Sequence, residues 1–135
     1  MIPRLNGIDH VHVYVHDRDK AAAWYQEVLG FRVSKAFEFW AEDANGPLTI
    51  EDASVTIHLA LFARSVFEPS TAIAFNTRGT DFLKWKTYLE DKQLLKRGSD
   101  HDASWSLYFH DLDNNMHEIT SYDYLHIGQA LSADS

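Results

Sequence analysis

The feature that most constrains this chain is a repeated order of elements. A strand, a helix and then further strands occur twice within 135 residues, at a period near 60. Residues 8–15 (IDHVHVYV) alternate strictly, the period of a half-buried strand, with Val11, Val13 and Val15 on one face and His10, His12 and Tyr14 on the other. Asp17 or Asp19 can cap a helix over about residues 20–29, which Gly30 terminates. Residues 31–40 are aromatic and read as β, and 43–47 (DANGP) is turn chemistry. Residues 48–51 and 55–62 read as two strands separated by a tight acidic turn; in the second, Val55, Ile57, Leu59 and Leu61 share one face and His58 falls on the other. Residues 65–70 form a connector, and the pattern then restarts. A strand is expected at 71–77, a helix starting at Gly79–Thr80 and running over 81–92, a polar loop at 97–103, and strands at 105–110 and 116–121 around the turn 111–115 (DLDNN). The mixed tail after Tyr122 carries no expectation.

Neither half can bury its sheet alone, since a sheet with one apolar face needs a covering layer. Helices are expected on the valine and leucine rows. The opposite faces, carrying His10, His12, Tyr14 and His58, are then expected to border a cleft. The reading is one α+β domain, 1–135, with one module over about 7–63 and the other over about 70–124.

Composition narrows the function. Twelve Lys and Arg stand against twenty Asp and Glu, a formal charge of −8. That balance disfavours nucleic acid and anionic membrane as partners. No apolar run approaches the roughly 18 residues of a membrane span, and the N-terminus lacks a signal peptide's apolar stretch, so the expected location is the cytoplasm. Cysteine is absent, which removes thiol nucleophiles and Cys-based zinc sites. Eight histidines and eighteen aromatic residues (Phe 8, Tyr 6, Trp 4) instead suit a small-molecule pocket with metal or proton chemistry. Tyr14, Phe39, Trp40, Trp105 and Tyr108 are the aromatics expected to line it; Trp24 and Tyr25 read as helix packing. No glycine-rich phosphate loop and no Gly-x-Ser-x-Gly elbow is present.

The opening IDHVHVYVHD with AAAWYQEVLGF, and the closing LYFHDLDNNMHEIT, resemble the vicinal oxygen chelate superfamily. That group includes glyoxalase I, bleomycin- and fosfomycin-resistance proteins and extradiol dioxygenases. The resemblance runs from about Gly7 to Tyr124. It implies two βαβββ modules forming a cupped mixed sheet, with helices outside and a divalent metal ion in the cup. It also implies four ligand positions, on the first and last strand of each module. These fall on His10, His58, Ala72 and Glu118, with spacings of 72 − 10 = 62 and 118 − 58 = 60. Alanine cannot ligate, so the implied set is His10, His58 and Glu118, two imidazoles and one carboxylate with open positions for substrate. The metal (Fe, Mn, Ni, Zn or Co) is left open. The set would chelate adjacent oxygens of a small substrate and stabilise an oxyanionic or enolate-like intermediate, with Glu118, His12 or Tyr14 moving the proton. A lyase or isomerase is the leading reading. A metal-free bleomycin-resistance-type binder and a small ferrous dioxygenase are the alternatives, and the resemblance implies a homodimer. His16, His101, His110, His117 and His126 read as solvated or packing residues.

Overall fold

The computed structural model describes residues 1–133. It divides into two compact units, Met1–Pro69 and Ser70–Ser135. Each is a four-stranded mixed sheet with helices, so the chain is α+β and built of two βαβββ modules.

The first unit contains β1 (Val11–Val15), α1 (Arg18–Leu29), β2 (Arg32–Val33), β3 (Leu48–Glu51) and β4 (His58–Ala63), in the sheet order β1-β4-β3-β2. α1 begins where Asp17 accepts a hydrogen bond from the Lys20 amide, and it ends at Gly30, whose φ of 74° is the left-handed region that glycine adopts without strain. β1 lies parallel to β4, with Val11 opposite Leu59 and Val13 opposite Leu61. Val13, Val15, Ile50, Leu59 and Leu61 are fully buried on the side that packs against α1 and its Tyr25. Complete burial of each such aliphatic side chain stabilises the fold by about 1.5–3 kcal/mol before entropy is counted. His12, Tyr14, His58 and Phe62 take the alternate positions, on the face turned from α1.

The β reading of residues 31–40 is corrected. Only Arg32–Val33 is strand; Lys35–Glu42 is a 3₁₀ helix. In a 3₁₀ helix residues i and i+3 eclipse, and Phe37 and Trp40 have that spacing, their rings stacked at 4.6 Å and 8°. The Arg18 guanidinium fastens the far end by donating to the carbonyls of Ala41, Asp43 and Gly46. This segment packs on β3, so all four β3 residues are buried, Glu51 included. The strand expected at 55–62 begins only at His58, because residues 52–57 fold around Asp52. Its Oδ1 accepts the amides of Thr56 and Ile57, and Val55 takes a φ of 58°.

The second unit contains β5 (Ile73–Asn76), α2 (Gly79–Asp91), β6 (Arg97–Asp100), β7 (Trp105–His110), β8 (Met116–Ser121) and α3 (Tyr124–Ala133), in the sheet order β5-β8-β7-β6. The loop expected at 97–103 is therefore partly an edge strand. Its RGSD sequence has no apolar face, so alternation could not reveal it; pairing with β7 defines it. Phe82 and Leu89 of α2 are buried, as are Leu107, Phe109 and Ile119 of the sheet. Trp105 shares their parity and lies on that side, stacked on Tyr124 at 5.8 Å with its N–H donated to the Tyr124 carbonyl. The expectation that it lines the open face is corrected.

α2 is capped from a distance. Arg78 at its N-cap makes no side-chain cap, and the Gly79 amide donates to Asp123 Oδ2 at 2.6 Å. A Cβ on Gly79 would lie 2.8 Å from both Asp123 Cβ and His126 Cδ2, so this close approach requires glycine. Asp123→Ala is expected to lower stability by about 1–2 kcal/mol, the upper range for a lost cap. Urea unfolding at neutral pH, with an unchanged slope, is the measurement that checks it. Among the described residues no helix is long and apolar enough to cross a membrane.

Candidate metal centre

In the first unit the candidate residues form two groups. His10 directly precedes β1, and His12 follows two residues later on the same side, as the period of a strand dictates. His10 Nδ1 lies 2.8 Å from Asp9 Oδ2. That contact puts the ring proton on Nδ1 and leaves Nε2 as the basic nitrogen. His10 Nε2 is 3.0 Å from His12 Nε2, and the two rings are stacked at 5.0 Å and 24°. His12 in turn rests on Phe62 at 4.7 Å. Tyr14, further along the same face, lies at 6.5 Å from Phe62, and the Arg64 guanidinium covers its ring at 5.2 Å.

The second group surrounds His58. Register places it opposite Glu51, and its Nε2 is 3.8 Å from Glu51 Oε1. Arg32 approaches the other carboxylate oxygen at 3.6 Å, and the Phe37 ring meets His58 edge-on at 6.3 Å. A cavity of about 650 Å³ borders this group and is lined by Arg32, Ser34, Lys35, Phe37, Glu51 and His58, among others. Phe39 and Trp40 are exposed on the 3₁₀ helix.

In the second unit Glu118 occupies the middle of β8, in register with Ala74 on one side and Tyr108 on the other. The Ser106 hydroxyl donates to Glu118 Oε2 at 2.6 Å. The same hydroxyl lies 3.2 Å from Thr120 Oγ1, which hydrogen-bonds to the Trp105 carbonyl. Oε1 of Glu118 has no hydrogen-bond partner among the described residues. Tyr108 stands beside it in register, with its hydroxyl 3.1 Å from His101 Nε2 and the Arg97 guanidinium 4.3 Å over its ring. Ala72, Ala74 and Asn76 are exposed along one side of the β5 region, and Ile73 and Phe75 are packed behind.

Within neither unit, among the described residues, do three His, Asp or Glu side chains converge as a ready-made metal set. Three partners escaped the sequence reading: Asp9 on His10, Glu51 on His58 and Ser106 on Glu118. Asp9 was legible as an adjacent carboxylate. The other two follow only once strand register is known.

A family profile described as the Glyoxalase/Bleomycin resistance protein/Dioxygenase superfamily matches residues 7–121. The chain belongs to that superfamily. Among curated proteins none matches it. Solved structures agree in fold. An integron cassette protein from the mobile metagenome of the Halifax Harbour sewage outfall superposes with a TM-score of 0.72 at 21% identity, over 87% of this chain and 99% of the other. A mutant of the genomically encoded fosfomycin resistance protein FosX from Listeria monocytogenes gives a TM-score of 0.71 at 16% identity, covering 91% and 97%. That structure is a complex with Mn(II) and a dihydroxypropylphosphonic acid. Lactoylglutathione lyase from Agrobacterium tumefaciens gives 0.69 at 18% identity, covering 88% and 96%. At these identities the likeness of a superfamily member is one of fold.

Proposed function

We propose that this protein is a metal-dependent enzyme of the glyoxalase-like kind, a lyase or isomerase that holds one divalent ion through His10, His58 and Glu118. Its substrate is a small molecule that offers the ion two adjacent oxygens. The observation that carries this reading is the orientation of His10. A carboxylate on Nδ1, here Asp9 at 2.8 Å, is the arrangement that fixes a ligating imidazole and raises the basicity of its other nitrogen. Glu118 fits the same role: Ser106 steadies one oxygen and the other keeps its acceptor capacity. A bound ion would polarise the substrate oxygens and stabilise the negative charge that develops on them. Proton transfer falls to Glu118, His12 or Tyr14, side chains that can take up and release a proton. The Mn(II) complex of the fosfomycin resistance protein supports a divalent ion on this fold, and the fold alone leaves the substrate open.

The test is elemental analysis of protein purified without added metal, beside a chelator-treated control. About one divalent ion per chain, removed by chelator and restored by dialysis, is the expected result. Protein that carries no ion and takes none up would overturn the enzyme reading in favour of a metal-free binder.

A further inference from the structure

We propose that His12 is itself a metal ligand, joining His10 as a two-imidazole clamp at the start of β1. This rests on the metal-dependent reading above and adds to it a ligand on β1 that the repeat of the two modules does not supply.

The geometry of the pair carries the argument. A strand separates side chains i and i+2 by close to 7 Å at the backbone, about twice the rise per residue, so two imidazoles at that spacing have no need to touch at their tips. Here they do: the Nε2 atoms are 3.0 Å apart while the centroids of the stacked rings remain 5.0 Å apart, so one nitrogen of each ring is brought next to the other. Imidazole nitrogens bind first-row divalent ions at about 2.0–2.1 Å, so two of them on one ion lie about 3 Å apart at a right angle and about 3.4 Å apart at a tetrahedral angle. The observed separation lies near the right-angle value, and a small opening of the pair gives the tetrahedral one. Each ring is also held from behind. Asp9 grips His10 at Nδ1, and Phe62 supports the face of His12 at 4.7 Å. His12 is exposed, so its orientation is not a by-product of core packing.

Without an ion, the same distance is an N–H···N hydrogen bond. His10 has committed its proton to Asp9, so His12 Nε2–H is the donor and His10 Nε2 the acceptor. Binding an ion requires His12 to carry its proton on Nδ1 instead, a tautomer change that leaves the charge of the ring unaltered. The ion then replaces the shared proton between the nitrogens. Two consequences follow. A fourth donor joins His10, His58 and Glu118, where Ala72 contributes none. His12 also leaves the group of proton carriers, because its Nε2 lone pair is spent on the ion, and proton transfer rests on Glu118 and Tyr14.

The experiment uses the full chain with Cu(II) and Zn(II) as probes. Zn(II) affinity is measured by calorimetry, and the nitrogen count around Cu(II) by electron paramagnetic resonance, for the wild type, His12→Ala and His12→Phe. Phenylalanine keeps a ring against Phe62 and His10 but offers no nitrogen, so it separates ligation from packing. Urea unfolding confirms that each variant is folded. Expected is a loss of about 100-fold or more in Zn(II) affinity in both variants, with one imidazole nitrogen fewer around Cu(II). An unchanged affinity and nitrogen count in His12→Phe, in a protein where His10→Ala abolishes binding, would overturn the clamp and leave His12 as a hydrogen-bond partner. Unchanged binding in His10→Ala and Glu118→Ala as well would overturn the metal reading itself.

Discussion

His10→Ala and Glu118→Ala are each expected to weaken divalent-ion binding by more than about 100-fold, beyond the 10- to 100-fold that follows loss of a partner behind a ligand. The expectation differs for Asp9→Ala. Asp9 touches only Nδ1 of His10, so its removal leaves every ligating side chain in place and frees the His10 ring to turn. A loss within that smaller 10- to 100-fold range is expected there. The ordering is therefore His10 and Glu118 first, Asp9 second, with the Asp9 effect absent in a His10→Ala background. Titration calorimetry of the single variants and the double variant measures it, and additive losses would show that Asp9 acts elsewhere. Imidazole nitrogens must be unprotonated to ligate, so protons compete with the ion and affinity should rise from acid to neutral pH in the wild type. An affinity that does not change with pH would remove the imidazoles from the site.

What the sequence revealed, and what it hid, follows from where period-2 alternation has a physical cause. β1 and β7 each bury an apolar row, so the opposite row was legible as His12, Tyr14 and Tyr108; β8 buries His117 and Ser121 beside Ile119, and Glu118 was legible only as the residue facing away from Ile119. β3 is buried at every position and β6 has no apolar face, so each breaks the alternation in its own way. The 3₁₀ helix was hidden because Phe37 and Trp40 are as suited to a strand as to a stacked i, i+3 pair, and the bonds that fasten it come from Arg18, distant in sequence from Ala41, Asp43 and Gly46. α3 was hidden by its short mixed sequence; docking through the buried Ile127 and the Trp105–Tyr124 stack makes it a helix. The candidate site divides in the same way. Which side His10, His58 and Glu118 take is a matter of parity. That His10 meets His12 and that His58 meets Glu51 depends on rotamer and register, which parity does not encode.

A buried histidine gives the largest expected effect on stability. His117 is fully buried on β8 between the rings of Phe75 and Phe109, each at about 5.6 Å. Burial pushes its pKa down to about 4; the Asp111 carboxylate, 3.9 Å away, opposes that shift and His110 reinforces it. Burial prevails because a charged imidazole between two aromatic rings loses its hydration. The sign of the effect follows directly. Between pH 6.5 and 4 the unfolded chain binds a proton at this position and the folded chain does not, so acid favours unfolding. The stabilising contribution is fully present above about pH 6.5 and is lost as pH falls toward 4. A shift of this size corresponds to about 3 kcal/mol, a large share of the 5–15 kcal/mol that holds a typical domain together. Asp52 acts in a separate window. Its partial burial raises its pKa, but hydrogen bonds from Ser54, Thr56 and Ile57 outweigh that and hold it at about 2, so its contribution is lost only below about pH 4. Urea unfolding at intervals from pH 7 to pH 4 should therefore show a decline that His117→Gln removes, since glutamine cannot take up the proton. A decline of the same slope in His117→Gln would assign the acid sensitivity to another group.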